Sequence, residues 1–216
     1  MIKILYLEDE KAIQEVTHEY LKTLNYEIDI ANDGLEALSY LKKNSYDLAI
    51  LDIIVPHHSG LEVLESITQT SPNTKTIMLT ALGSESSQID AFDRFADDYI
   101  IKPFSPTLLL KRVEAILRRS NAGTNQQGLN ILSESFQVYY NGQSLNFTVS
   151  EFLIFNAMYS SPVKVFSRAE LLDILDPDNL NVNDRVIDAH IKNIRKKSPK
   201  SLIKTIIGIG YQYENI

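Results

Sequence analysis

The stretch LAILDIIVPHHSG, Leu48 to Gly60, decides the fold of the first half of the chain. Four apolar residues, Leu48 to Leu51, are followed directly by the carboxylate of Asp52, with Pro56 and Gly60 shortly after. A short apolar run bounded by turn-forming residues is typical of a buried strand. Because an unpaired carboxylate is costly to bury, Asp52 is predicted to lie at the strand's open end or to have partners elsewhere in the chain.

Similar short apolar runs occur on both sides of this stretch. They are Ile2–Leu7, Ile28–Ala31, Thr76–Leu79 and Tyr99–Ile101. Between them, apolar residues recur at helical spacing, as at Ile13, Val16 and Tyr20. Five strands alternating with five helices predict an α/β fold with a doubly wound, five-stranded parallel sheet of flavodoxin-like type. Ligands bind such sheets beyond the carboxyl ends of the strands.

The composition indicates a globular protein outside the membrane. The 216 residues are 44% hydrophobic and 23% charged, and none is cysteine, which excludes disulfides and thiolate metal sites. No apolar run approaches the roughly 18 residues that cross a bilayer. The N-terminal MIKILYLEDE turns acidic too soon for a signal peptide. We therefore expect a cytoplasmic protein with no membrane partner.

Charge is distributed unevenly along the chain. Residues 1–120 contain 12 basic and 19 acidic side chains, whereas residues 184–216 contain 7 basic and 3 acidic ones. The acidic first half is therefore an unfavourable surface for a polyanion, and the basic C-terminal segment is a favourable one.

A second domain is predicted after a polar, glycine-containing linker. The predicted boundaries are residues 1–119 for the first domain, 120–127 for the linker and 128–216 for the second domain. QVYYNGQSLNF places two short strands around Asn141-Gly142, a pair that favours a tight hairpin turn. TVSE (148–151) and SRAE (167–170) fit the capping box, a third helix follows Asn183, and two short runs end the chain. This order predicts a smaller α+β winged-helix domain.

Polar residues at the strand ends of the first domain form a candidate phosphoryl-transfer site. Glu8 and Asp9 end the first strand, Asp52 the third and Thr80 the fourth, and Lys102 follows the fifth. Carboxylates this close favour a divalent, oxygen-seeking cation, and Mg²⁺ is the expected cofactor. Asp52 can then act as a nucleophile toward phosphorus, with Thr80 and Lys102 positioning and neutralising the transferred group.

The motifs LYLEDE, LAILDIIVP…G, IMLTA and DDYIIKPF resemble the receiver domain of two-component response regulators. FTVSEFLI, VFSRAELL, NDRVIDAHIKNIRKK and IIGIGYQYE resemble the winged-helix effector of the OmpR/PhoB family. The resemblance implies Asp52 as phosphoacceptor, Asp9, Glu8 and the backbone carbonyl of Ile54 around Mg²⁺, and Lys102 beside the phosphoryl group. It also implies Thr80 and Tyr99 as a conformational switch, and a phosphohistidine of a sensor histidine kinase as phosphoryl donor.

Duplex DNA is the expected partner of the second domain. Arg185, Lys192 and Lys196 share a helix face opposite Ile187, Ile191 and Ile194, just before the predicted wing. The full set of expected DNA contacts is Arg185, His190, Lys192, Asn193, Arg195, Lys196, Lys204 and Tyr211. Many relatives have an arginine where this wing has Ile207, which predicts a different wing contact.

The resemblance further implies a homodimer through the receiver's fourth helix, fifth strand and fifth helix. Its expected ion-pairing residues are Asp97, Asp98, Arg112 and Arg119. The adjacent His57 and His58 have no third ligand nearby in the sequence and are interpreted as solvated loop residues.

These patterns predict a DNA-binding transcription regulator that is activated by phosphorylation of Asp52. It would not be an enzyme with an external substrate, although it would slowly lose its own phosphoryl group. The alternative is a winged-helix regulator that ignores phosphorylation and dimerises constitutively or by altered contacts.

Overall fold

The computed structural model describes residues 1–81, 96–118, 127–175, 186–198 and 202–214 of the chain. The chain divides into two units, Met1–Leu117 and Arg118–Ile216. Most of the predicted linker, 120–127, lies outside the described residues, so the exact domain boundaries stay a prediction.

The first unit is built around a five-stranded parallel sheet with the strand order β2-β1-β3-β4-β5. This confirms the doubly wound α/β fold, and the observed strands match the predicted apolar runs to within two residues. The elements are β1 (Lys3–Leu7), α1 (Lys11–Lys22), β2 (Glu27–Ala31), α2 (Gly34–Lys43), β3 (Leu48–Asp52), α3 (Gly60–Thr70), β4 (Lys75–Ala81), β5 (Asp98–Lys102) and α4 (Pro106–Leu117). The predicted helix between β4 and β5 lies outside the described residues.

The sheet register brings the predicted site residues to one edge. Every residue of β3 is buried, which explains its unbroken apolar run. Leu7, the last residue of β1, is paired with Leu51, and Asp52 is paired with Leu79 of β4. Since all five strands are parallel, the residues that end β1, β3 and β5 emerge at the same side of the sheet.

The loop after Asp52 is held close to the strand by the start of α3. Ser59 caps this helix in a capping box with Glu62, and the Gly60 N–H donates a hydrogen bond to the Ile53 carbonyl at 3.1 Å. Gly60 lies so close to β3 that a Cβ atom there would meet the Asp52 carbonyl oxygen at 2.0 Å. Only glycine therefore allows this approach without a backbone shift.

Gly60→Ala is expected to destabilise the first unit by about 1–3 kcal/mol, because the added methyl group forces β3 and α3 apart. Urea unfolding monitored by circular dichroism measures this change. Gln69→Ala, at an exposed position of the same helix, serves as the control. Equal unfolding midpoints for the two variants would contradict the expectation.

The described residues of the second unit form a three-stranded antiparallel sheet, three helices and a terminal hairpin, the arrangement of a winged helix. Its elements are β6 (Leu129–Leu132), β7 (Gln137–Tyr140), β8 (Gln143–Ser144), α5 (Val149–Ser160), α6 (Arg168–Leu175), α7 (Val186–Lys197), β9 (Ile203–Ile206) and β10 (Gly210–Tyr213), with one 3-10 turn at Ser133–Ser135. The predicted turn at Asn141-Gly142 is confirmed, since both residues have positive φ angles, 50° and 81°. Sequence reasoning missed β6.

Capping and apolar packing explain the helical core of this unit. Thr148 and Glu151 form the predicted capping box of α5. At α6, the Ser167 N–H donates to the Glu170 carboxylate and the Glu170 N–H donates to the Ser167 hydroxyl, which is the second predicted capping box. Phe152, Phe155 and Met158 of α5 are buried against apolar residues of the other elements.

Within the described parts of the chain, no helix is both long and apolar enough to cross a membrane.

Candidate functional site

Three carboxylates converge where β1 and β3 end. Glu8, Asp9 and Asp52 each offer an oxygen within 4.8 Å of those of the other two. Glu8 is fully buried, Asp52 is 6% exposed and Asp9 is exposed. Three oxygen ligands at this spacing match the preference of a hard divalent cation. The structure thus brings together the acidic residues that were predicted as the metal ligands.

Lys102, at the end of β5, reaches across the sheet to two of these carboxylates. Its Nζ lies 2.9 and 2.7 Å from the two Glu8 oxygens and 2.5 Å from Asp52 Oδ2. Lys102 is 94 residues from Glu8 along the chain and 50 from Asp52, so the sheet register alone produces this contact. One ammonium group therefore holds two carboxylates that would otherwise repel each other.

The electrostatics of the pocket show how closely these groups are coupled. Burial raises the pKa of Glu8 to about 6, although the Lys102 ammonium acts in the opposite direction. Burial alone would lower the pKa of Lys102, but its hydrogen bonds to Asp52 and Glu8 outweigh that effect and raise it. The ammonium consequently remains charged at neutral pH and supplies a fixed positive charge beside Asp52.

The other predicted pocket residues surround this group. The Ile54 N–H donates to Asp52 Oδ1 at 3.0 Å, which fixes the carboxylate while its second oxygen accepts from Lys102. Thr80 is buried one residue before the end of β4, and the Tyr99 ring is buried in the apolar cluster on one face of the sheet. The Lys102-Pro103 peptide bond is cis.

Sequence reasoning missed Gln14, a buried polar residue behind the acidic pocket. Its Nε2 donates to the Glu8 backbone carbonyl at 2.9 Å, while Lys11 Nζ donates to Asn32 Oδ1 at 2.7 Å nearby. These bonds fix the start of α1 against the ends of β1 and β2. A glutamine in an amphipathic helix gives no sequence signal of this role, because the same residue type is common on solvated faces.

His57 and His58 lie beside the pocket but outside its carboxylate group. Both side chains are partly exposed, His57 Nε2 lies 3.9 Å from Asp33 Oδ2, and His58 Nδ1 lies 3.1 Å from Glu62 Oε1. The bond to His58, with those from Ser59, lowers the pKa of Glu62 to about 2. In the part of the chain that the structure describes, neither histidine joins a three-residue metal cluster.

Two residues of the predicted dimer face contact each other. Asp98 and Arg112 are buried, and Arg112 NH1 donates to Asp98 Oδ2 at 2.7 Å within the same chain. Ion pairs from these residues to a partner chain stay a prediction. Asp97 remains partly exposed and accepts from the Thr76 N–H at 2.9 Å. Arg119 lies outside the described residues.

The predicted DNA contacts separate into exposed and buried groups. Lys192 and Lys196 of α7 and Lys204 of β9 are exposed, in agreement with a solvent-facing basic surface. His190 and Asn193 are only 1% and 2% exposed, and Tyr211 is also buried. These three side chains have little accessible surface in the free chain, and their contact with a duplex stays a prediction. Arg185 lies outside the described residues.

Arg195 joins α7 to the terminal hairpin instead of pointing freely to solvent. Its guanidinium donates to the Ile203 carbonyl at 3.0 Å and to Thr205 Oγ1 at 2.7 Å. Hydrogen bonds from one guanidinium to two residues of β9 restrict the position of this strand relative to α7. The contact therefore orients the helix and the hairpin with respect to each other.

Arg168 is a further residue that the sequence did not identify. Its Nε donates to Asp188 Oδ1 at 2.7 Å, and the Tyr211 hydroxyl donates to the same oxygen at 2.6 Å. Three elements, α6, α7 and β10, meet at this carboxylate. Asp188 thus orients Arg168, which lies 20 residues earlier in the chain.

Two family models match the chain. The model described as response regulator receiver domain matches residues 4–114. The model described as the C-terminal domain of transcriptional regulatory proteins matches residues 142–213. Each match falls within one of the two units of the fold.

Similar proteins match the chain over nearly its whole length. The regulatory protein VanRB of Enterococcus faecalis is 38% identical over 99% of this chain and 98% of its own. The transcriptional regulatory protein SrrA of Staphylococcus aureus is 32% identical over 98% of this chain and 95% of its own. The crystal structure of the response regulator DrrB, an OmpR/PhoB homologue of Thermotoga maritima, is 32% identical, with a TM-score of 0.52 and complete coverage of both chains.

Proposed function

The chain belongs to the two-component response regulators that combine a receiver domain with an OmpR/PhoB-type winged-helix domain, and from this premise we propose that Asp52 is its phosphoacceptor. The observation that carries the proposal is the Lys102 ammonium, which lies 2.5 Å from Asp52 Oδ2 and 2.7 Å from Glu8 Oε2. A carboxylate nucleophile beside a fixed positive charge and two further carboxylates is the arrangement that phosphoryl transfer needs.

In the proposed reaction, an Asp52 carboxylate oxygen attacks the phosphorus of a phosphohistidine on a sensor histidine kinase. The new O–P bond forms as the N–P bond breaks, and the freed imidazole nitrogen takes up a proton. The Lys102 ammonium neutralises charge on the transferred oxygens, and the Ile54 N–H keeps the carboxylate aligned. Later attack of water on phosphorus releases phosphate and restores Asp52.

Mg²⁺ fits the donor set of Glu8, Asp9 and Asp52, with the Ile54 carbonyl as a further ligand. When bound, it would supply charge neutralisation at the transferred phosphoryl oxygens. Hard carboxylate oxygens and the lack of cysteine in the chain both favour this cation over softer metals.

The phosphoryl group is proposed to act through Thr80 and Tyr99. Both are buried on strands next to each other in the sheet, where Met78 pairs with Tyr99 and Thr80 with Ile101. A hydrogen bond from the Thr80 hydroxyl to the new phosphoryl oxygens would bias the position of the Tyr99 ring. The biased state forms a homodimer in which two winged helices bind neighbouring sites on duplex DNA. The homodimer is proposed to form through the fourth helix, fifth strand and fifth helix of the receiver.

The proposed setting is the cytoplasm, where a kinase domain and DNA are both accessible.

The experiment that tests the function compares DNA affinity and oligomeric state with and without Mg²⁺ and beryllofluoride, a stable mimic of the phosphoryl group. We expect dimerisation and tighter DNA binding with the mimic. Equal affinity and oligomeric state in both conditions would contradict control by phosphorylation.

Lys204→Ala is expected to reduce the slope of log affinity against log salt concentration by about 0.9, the contribution of one phosphate contact. Lys204 is exposed on β9 and is proposed to contact a phosphate, so its loss should weaken binding equally for all DNA sequences. Fluorescence anisotropy over a range of salt concentrations measures the slope. Lys164→Ala is the control, since Lys164 already pairs with Glu170 at 2.9 Å. An unchanged slope for Lys204→Ala would remove this residue from the DNA-binding surface.

A further inference from the structure

A mostly apolar pocket lies in the first unit between α1 and the connection from β5 to α4. Its volume is about 320 Å³, which lies within the range of small-molecule sites. We call it the α1 pocket, and its lining includes Ile13, Val16 and Thr17 of α1 together with Lys102, Pro103 and Phe104. The reaction steps proposed above make no use of this space.

The α1 pocket runs from an exposed rim to a buried threonine. Val16 is 50% exposed, whereas Thr17, the next residue, is only 1% exposed. Because both residues line the same space, a molecule that enters beside Val16 reaches down to Thr17. A protein surface laid over the rim would not reach this depth, but a small molecule would.

The hydroxyl group of Thr17 has no hydrogen-bond partner among the described residues, and neither has the hydroxyl group of Tyr6 on β1. Burial raises the pKa of Tyr6, and Thr17 acts in the opposite direction, so the two side chains are neighbours. A buried hydroxyl group without a partner costs free energy, and a ligand that supplies the missing hydrogen bond removes this cost. Threonine has two common rotamers in a helix, so the Thr17 hydroxyl can turn toward the pocket.

Charge and aromatic contact define the chemistry of a suitable ligand. Lys102 offers its aliphatic stem to the pocket, because Glu8 and Asp52 hold its ammonium group. Together with Asp9, these groups carry more negative than positive charge, which repels an anionic ligand. The ring of Phe104 favours an aromatic partner. The α1 pocket therefore suits a neutral aromatic molecule with one hydrogen-bonding group.

We propose that the α1 pocket is a binding site for a small, neutral, phenol-like molecule whose hydroxyl group pairs with Thr17. The ring would contact apolar residues of α1 and the Phe104 side chain. The same ligand would touch Lys102, whose ammonium lies beside Asp52, and so couple the site to the phosphoacceptor. This coupling rests on the proposed function, whereas the binding itself does not.

The test uses phenol and toluene, two rings of similar size of which only phenol carries a hydroxyl group. Binding to the full, 15N-labelled chain is measured by NMR titration, with the backbone amides of α1 and of Phe104 as reporters. We expect saturable shifts of these signals with a dissociation constant of about 1 mM, the strength that so small a ligand supplies.

Thr17→Val removes the hydroxyl group and keeps the shape of the side chain. It should weaken phenol binding about fivefold, the effect of one lost hydrogen bond, and leave toluene binding unchanged. Retained toluene binding also shows that the pocket of the variant is folded. Thr68→Val is the matched control, because Thr68 of α3 already donates to the Leu64 carbonyl at 2.9 Å and does not line the pocket. The control should change neither affinity.

Saturating phenol should also slow phosphoryl incorporation from a small phosphodonor and Mg²⁺ by about fivefold, as mass spectrometry over time measures. The Lys102 ammonium must move from its carboxylate partners to the transferred oxygens, and a ring packed against its stem restricts that movement. Thr17→Val at the same phenol concentration should be slowed less, because less of it is occupied.

The absence of saturable shifts at α1 with phenol would overturn the proposal. Equal weakening of phenol and toluene binding by Thr17→Val would do the same, because the hydroxyl group would then have no specific role. If phenol binds in the pocket but leaves incorporation unchanged, the coupling to Asp52 is wrong. A chain that takes up no phosphoryl group even without phenol would refute the proposed function and the coupling with it, while the titration would still decide whether the site exists.

Discussion

Replacing Asp52 with asparagine should abolish the incorporation of phosphoryl groups when the chain is incubated with Mg²⁺ and a small phosphodonor. The amide of asparagine has no anionic oxygen to attack phosphorus, and it removes one of the three carboxylates of the metal cluster. The single amide oxygen can accept only one of the two hydrogen bonds that Asp52 accepts from the Ile54 N–H and from Lys102, but Lys102 keeps Glu8 as a partner. The fold should therefore persist while the chemistry is lost. Mass spectrometry of the intact chain detects the added phosphoryl group.

Asp47→Asn is the matched control for this experiment. Asp47 is an exposed carboxylate just before β3, whereas Asp52 ends the same strand, so the two lie at opposite ends of one element. The control variant should accept a phosphoryl group like the unchanged chain. Incorporation that is undiminished in Asp52→Asn would place the phosphoacceptor elsewhere and overturn the proposed function.

Replacing Lys102 with glutamine should slow phosphoryl transfer by about 100- to 1,000-fold, the effect of removing one preorganised electrostatic contact at a reacting centre. The ammonium now lies within hydrogen-bond distance of both Glu8 and Asp52, and glutamine keeps length and polarity without the charge. The same change should tighten Mg²⁺ binding, because the cation no longer competes with an ammonium for the carboxylates. A slower phosphoryl transfer together with a higher Mg²⁺ affinity would show that Lys102 acts through its charge, because general damage to the pocket would lower both.

The rate is measured by mass spectrometry over time, and Mg²⁺ affinity by isothermal titration calorimetry. Lys22→Gln is the control, since Lys22 is an exposed lysine that also pairs with a carboxylate, Glu19 at 3.0 Å. It should leave both measurements unchanged. If Lys102→Gln binds Mg²⁺ more weakly, or transfers phosphoryl groups at the rate of the unchanged chain, the assigned role of the ammonium is wrong.

The strands could be predicted because their signal is local. A run such as Leu48–Leu51 is apolar throughout since both sheet faces are covered, and this pattern alone sets β3 within one residue of its observed end. Turn and cap chemistry is equally local, as at Asn141-Gly142 and at Thr148. The acidic pocket was predictable as well, because parallel strands must bring their carboxyl ends to one edge.

Side-chain partners that are far apart in sequence were not predictable in this way. Arg112 and Asp98 were expected to meet a partner chain, and the structure adds a contact of 2.7 Å between them within one chain. Arg195 was expected to contact DNA, and the structure adds its hydrogen bond to the terminal hairpin. A charged residue gives the same sequence signal whether its partner is water, DNA or another part of the same chain.

The sequence by itself determined the two-part fold, the edge of the sheet at which Asp52 lies, and the residue types available for a phosphoryl group and a divalent cation. These features follow from the periodicity of the sequence and from the geometry of parallel strands, and neither depends on how the side chains pack. Only the tertiary structure decided that Lys102 bridges Glu8 and Asp52, that His190 and Asn193 are buried, and that Ile207 is left exposed. The physical reason is that burial and hydrogen bonding depend on which groups arrive from distant elements, and the one-dimensional pattern carries no record of those distances.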